Sequence, residues 1–249
     1  MTRKLLILGG TAEGADLARQ ATAAFGDRVE VISSLAGRTM PSQDLPGAVR
    51  SGGFGGVRGL ADYLEAEGIG LVVDATHPFA AAISSHAYTA CVQTRVPKLN
   101  LIRPPWRLPP KTQYIEADTL EHAAQLLPRI SLRAFLTVGS GGIEAFQSVK
   151  GVWMLVRLLT QPADPLPIEK YHLITGRPPY TVEGETALIR EHRIDCIVTK
   201  QSGGAATEAK ITAARECGIK LLIVRRPFRE PGDAVESVEE AISWIEKRI

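Results

Sequence analysis

Residues 5–14 read Leu5-Leu6-Ile7-Leu8-Gly9-Gly10-Thr11-Ala12-Glu13-Gly14, and they decide the fold. Four aliphatic residues run without polar alternation, as in a strand covered on both faces. Two glycines follow, then an alanine-rich stretch with helical spacing near 12–24. Glycines at such a turn let the backbone bend sharply and leave the first N–H groups of the helix open to a phosphate. The spacing is not G-x-G-x-x-G, because Gly10 follows Gly9 directly, and no Gly-Lys-Ser/Thr of a Walker loop follows. Position rather than pattern makes Gly9, Gly10, Thr11, Ala12 and Glu13 candidate cofactor-binding residues. The plainer reading is a glycine-bearing turn of the kind every such sheet needs.

The same arrangement recurs outward. Aliphatic runs at 29–32, 71–73 and 98–102 alternate with a helical pattern at 79–94. Further on, runs at 133–138, 152–158, 196–199 and 220–224 alternate with helical stretches near 119–127, 183–192, 205–217 and 237–247. Unalternated strands separated by helices predict an α/β, doubly wound protein with mainly parallel sheets flanked by helices. Arg103-Pro104-Pro105-Trp106-Arg107-Leu108-Pro109-Pro110, with four prolines in eight residues, interrupts the series. Proline fixes φ and lacks an N–H, so no regular element crosses this stretch. Two lobes are expected, 1–105 and 106–249, with the active site in the cleft between them, as ligands gather at strand C-termini.

The chain has 249 residues, 45% of them hydrophobic, and a net charge of +2 divided evenly about residue 105. Neither half reads as a nucleic-acid module, so an anionic ligand must be met by local clusters. Cys91, Cys196 and Cys217 lie far apart without a C-x-x-C, which predicts reduced thiols. The N-terminal apolar run stops after four residues, whereas a membrane span needs about 18 or more. The expected location is cytoplasmic, with no membrane partner. His86, His122, His172 and His192 have no metal-ligand spacing, and no metal site is expected.

Where the second strand ends, an NAD site expects a carboxylate for the ribose. The sequence instead has Ser33, Ser34, Arg38 and Thr39, a set suited to the 2′-phosphate of NADPH. Asp74-Ala75-Thr76-His77-Pro78 closes another buried strand, and Pro78 biases His77 toward extended backbone. Thr76 and His77 are candidates for the nicotinamide side; alternatively, Asp74 and Thr76 cap the next helix. Gly139-Ser140-Gly141-Gly142 and Gln201-Ser202-Gly203-Gly204 are near-copies at equivalent strand–helix junctions, and either can form a backbone nest for an anion. Ser140 does not sit in a nucleophile elbow, which argues against an esterase. Thr207 and Lys210 share a helix face and, with Lys200 and Ser202, predict a cationic rim. Arg103, Arg107, Arg157, Arg177, Arg225 and Arg226 suit a substrate with several carboxylates, and Trp106 offers a flat apolar surface. Surface ion pairs account for some of these arginines on the plainer reading.

Taken together, LLILGGTAEG at 5–14, DATHPFAAAIS at 74–84, RPPW at 103–106, GSGG at 139–142, TKQSGGAATEAK at 199–210 and AARECGIKLLIVRRP at 213–227 resemble the precorrin-6A reductase family of cobalamin biosynthesis. Singly these pieces are unspecific; in this order along nearly the whole chain they are specific. The resemblance implies NADPH-dependent reduction of a double bond of the precorrin-6A macrocycle, giving precorrin-6B. It implies two Rossmann-like lobes and admits a strand exchanged between them. The implied partner is a precorrin-type tetrapyrrole polycarboxylate, with transient contact to neighbouring pathway enzymes and none to nucleic acid. Substrate-binding candidates are Arg103, Trp106, Arg107, Ser140, Gly141, Lys200, Gln201, Ser202, Gly203, Gly204, Thr207 and Lys210. His77, Ser140 and Lys200 are the catalytic candidates for delivering the proton, and water is an equal one. Two rivals stand beside this reading: a non-enzymatic NADP(H)-sensing module, and an NADP-dependent reductase of another polyanion.

Overall fold

The computed structural model describes residues 2–36 and 45–249; the candidate residues Arg38 and Thr39 lie outside them. The chain forms two compact units, 1–104 with 228–249, and 105–227.

In the first unit, β1 (Arg3–Leu8) leads into α1 (Ala12–Phe25), and β2 (Val29–Leu35) precedes β3 (Ala48–Ser51). Then come α2 (Gly56–Ala66), β4 (Ile69–Asp74), α3 (Ala81–Thr94) and β5 (Lys98–Leu101). The second unit contains β6 (Tyr114–Ala117), α4 (Leu120–Ile130), β7 (Arg133–Leu136), β8 (Trp153–Leu158) and β9 (Tyr171–Thr175). It continues with α5 (Val182–Glu191), β10 (Cys196–Lys200), α6 (Ala209–Glu216) and β11 (Lys220–Val224). The chain then returns to the first unit with β12 (Asp233–Val235) and α7 (Val238–Glu246).

The first sheet runs β12-β5-β4-β1-β2-β3, the second β6-β11-β10-β7-β8-β9, and every pairing in both is parallel. In β1 the two-residue period divides the aliphatic run between two cores. Leu5 and Ile7 pack with Leu17, Ala21, Leu71, Val73, Trp244 and Ile245. Leu6 and Leu8 join Leu60, Leu64, Val72, Ala87 and Cys91 on the other face. A strand buried on both sides cannot alternate, which is why its sequence does not.

Placing all of 106–249 in the second lobe needs correction. β12 pairs with β5 in register Asp233↔Leu99, and Val238, Ala241, Trp244 and Ile245 bury themselves in the first core. β6, which follows β5 along the chain, pairs instead with β11. Each sheet is thus completed by the strand that follows the other sheet's fifth. The junction after Gly142 also differs from expectation: single 3-10 turns at Ser140–Gly142 and Glu144–Phe146 stand where a helix was expected. The helix expected from 205 begins at Ala209, after a 3-10 turn at Ala205–Thr207. Among the described residues no helix is long and apolar enough to cross a membrane.

Candidate functional site

In both sheets the strand order reverses once, between β1 and β4 in the first and between β7 and β10 in the second. Ligands of open α/β sheets bind outside the strand C-termini at such a reversal. In the first unit that point is built by two fastened turns. Gly9 N–H donates to the Ser34 carbonyl at 2.9 Å, and Ala75 N–H donates to the Leu8 carbonyl at 2.9 Å. The Thr11 hydroxyl donates to the Ala75 carbonyl at 2.7 Å and accepts from Gly14 N–H at 3.1 Å, capping α1. Gly10 has φ +105°, a conformation that disfavours any side chain. At Gly14 a Cβ would come within 3.3 Å of both the Ala75 Cβ and the Gly9 Cα, so glycine lets α1 lie close against β4. A small crevice here is lined by Thr11, Glu13, Thr76, Pro78, Leu101 and Arg103.

Arg103 and Glu13, expected on substrate and cofactor respectively, form an ion pair with Nη1 3.0 Å from Oε2. Asp74, fully buried, receives the Thr76 amide at 3.1 Å and the Thr76 hydroxyl at 2.6 Å on Oδ1. Its Oδ2 faces Arg229 Nη1 at 3.4 Å and Lys98 Nζ at 3.7 Å. Neither Asp74 nor Thr76 caps α3, whose N-cap is Ala80 without a side-chain bond. Burial pulls the Lys98 ammonium below its ordinary value, against the opposing pull of Asp74. His77 accepts the Phe79 amide on Nδ1 at 3.2 Å, so the neutral ring carries its proton on Nε2.

At the end of β2, Ser34 Oγ accepts from Arg50 Nη1 at 2.7 Å, while the buried Ser33 Oγ has no hydrogen-bond partner among the described residues. The Arg50 guanidinium lies 3.7 Å over the Phe54 ring. Sequence reading missed Arg50 altogether, because parallel pairing of Ser34 with Arg50 brings it in from β3.

In the second unit, the turn after β10 is held from below. Arg226 Nε donates to the Gln201 carbonyl at 2.8 Å and Nη2 to the Ser202 carbonyl at 3.1 Å. Ser202 N–H donates to the Lys200 carbonyl at 2.7 Å. Lys200 is partly buried, which lowers its ammonium below the ordinary value. Ser140 and Gly141 are exposed; Gly203 is buried and Gly204 partly so. Arg107 is exposed.

Three expectations need correction. Lys210 does not belong to an outer rim: it is 4% exposed, bonds the Thr207 carbonyl and lies over the Trp106 ring. Trp106 does not present a free face; its ring is buried in the second core and Nε1 donates to the Gly204 carbonyl at 2.9 Å. Arg157 is buried against Glu185 at 2.5 Å. Long polar side chains turn inward here because each finds a carbonyl, ring or carboxylate to replace water. Of the remaining arginines, Arg225 pairs with Glu116 and Asp118 at the surface.

Sheet order and the glycine turn between β1 and α1 define the class: an α/β protein of Rossmann type. A family model described as Precorrin-6x reductase CbiJ/CobK matches residues 4–246, and the chain belongs to that family. It is 45% identical over 248 residues to a Precorrin-6A reductase of Rhodococcus erythropolis, covering 98% of each chain. A Precorrin-6A reductase of Mycobacterium tuberculosis is also 45% identical, over 247 residues and 98% of each chain. A solved structure described as CobK precorrin-6A reductase has TM-score 0.92 and 36% identity, covering 99% of this chain and 97% of that one.

Proposed function

We propose that this chain is a cytoplasmic reductase that converts precorrin-6A to precorrin-6B at the expense of NADPH. Family membership supports the reaction. The local observation that carries the cofactor is the β1–β4 reversal, where an open glycine turn stands beside two serines instead of a ribose-binding carboxylate. The donor set fits the group: Gly9, Gly10, Thr11 and Ala12 would hold the pyrophosphate, Ser33 and Ser34 the ribose end, and Thr76 and His77 the nicotinamide side. Bound there, NADPH supplies a hydride to one carbon of a substrate double bond.

What the protein adds is orientation and a proton for the adjoining carbon. Ser140, Gly141, the amides of Gly203 and Gly204 and the Lys200 ammonium would fix peripheral carboxylates of the tetrapyrrole. His77 Nε2–H, the Ser140 hydroxyl, Lys200 and water compete as proton source. The reading is tested by mixing the enzyme with NADPH and precorrin-6A without oxygen. One NADPH oxidised per macrocycle reduced by two electrons supports it; intact substrate with NADPH bound overturns it.

A further inference from the structure

We infer that Arg50, held flat against Phe54, is the residue that selects the 2′-phosphate of the cofactor; this rests on the NADPH reading above. The registers Ser34↔Arg50 and Leu35↔Ser51 put Arg50 beside the strand end where ribose-reading residues of this fold stand. Three of its five N–H groups are committed, to Ser34 Oγ at 2.7 Å and to the Gly52 and Gly53 carbonyls at 3.2 and 3.1 Å. Nε–H and one Nη2–H are left over, two donors from a planar group suited to phosphate oxygens.

Among the described residues, no carboxylate lies within ion-pair distance of Arg50. The Phe54 ring at 3.7 Å fixes the plane of the guanidinium without competing for its donors. Around it, a Cβ built at Gly52, Gly53 or Gly55 would meet nothing within 4 Å among the described residues. Ser33 Oγ, 2% exposed and without a partner among the described residues, is an unspent polar group on the other face of the same strand end.

The test is calorimetric titration of the full chain with adenosine 2′,5′-bisphosphate and with adenosine 5′-monophosphate, which differ only in the 2′-phosphate. The native chain is expected to prefer the bisphosphate by about tenfold to a hundredfold, the worth of one charge-assisted pair. Arg50→Ala should bring the two affinities together while leaving the monophosphate's nearly unchanged. Arg50→Lys, which keeps the charge but not the fork, should retain part of the preference and guards against a variant that does not fold. A preference that survives Arg50→Ala, or an equal loss for both ligands, overturns the assignment alone. A native chain that does not distinguish the two ligands overturns the NADPH reading and this assignment with it.

Discussion

The Thr11 hydroxyl donates to the Ala75 carbonyl at 2.7 Å, so one side chain both caps α1 and ties the turn after β1 to the end of β4. Thr11→Val keeps the shape but loses the cap and the tie together. The expected cost is about 2 kcal/mol, read from urea denaturation. Thr11→Ser should remain within about 0.5 kcal/mol of the native chain, since it keeps the hydroxyl. Similar stability for Val and Ser variants would show the bond to be idle.

Asp74 makes a different prediction. It is fully buried between Lys98 and Arg229, whose side chains are 10% and 15% exposed. Asp74→Asn leaves two cations facing one another without a counter-charge, and breaking a buried pair costs about 3–5 kcal/mol. Adding Lys98→Met to that variant should restore part of the loss. If the double variant is as unstable as the single one, the carboxylate matters for its bonds to Thr76 and not for its charge.

The Arg157–Glu185 pair, 7% and 1% exposed, should behave as buried ion pairs do. Glu185→Gln alone is expected to destabilise by about 3–5 kcal/mol. Replacing both residues together, with Arg157→Met and Glu185→Leu, should be neutral or stabilising, because neither desolvation penalty remains. Thermal melts of the three chains decide it.

Lys200 carries part of the pH dependence. Burial sets its native pKa below the ordinary 10.5, so between the two values the unfolded chain binds more protons than the native one. Its contribution to stability therefore rises as pH climbs through that window and is lowest below it. Lys200→Met removes that part alone, and its stability difference from the native chain should shrink as pH approaches 10.5. Melts across neutral to alkaline pH that run parallel for the two chains would falsify this.

The central strands were legible because β1, β4, β10 and β11 are buried on both faces along most of their length and carry aliphatic runs there. The outer strands were not. β3 reads Ala48-Val49-Arg50-Ser51 and is largely exposed, and β9 mixes Tyr171 and His172 with aliphatics, so neither leaves a continuous apolar run. α2 was hidden by its glycines, yet one is needed: a Cβ at Gly59 would lie 1.8 Å from the Phe54 carbonyl oxygen.

For the site, glycine turns and their flanking hydroxyls could be read directly, since a sharp strand–helix turn constrains the residues that make it. Partners brought in by tertiary pairing could not. Arg50 stands 16 positions from Ser34, and Arg229 stands 155 from Asp74. Trp106 and Lys210 were misread for a related reason: residue type says what a side chain can bind, while only packing says whether it faces inward.

The exchange of outer strands has a consequence during synthesis. A ribosome delivers β5 long before β12, and the whole second unit is made in between. Through that interval one edge of β5 has no neighbour, and an open strand edge invites pairing with other nascent chains. The sequence of β5, Lys98-Leu99-Asn100-Leu101, puts a lysine and an asparagine into that waiting strand. Charged and polar side chains of this kind discourage a stranger from docking until β12 arrives.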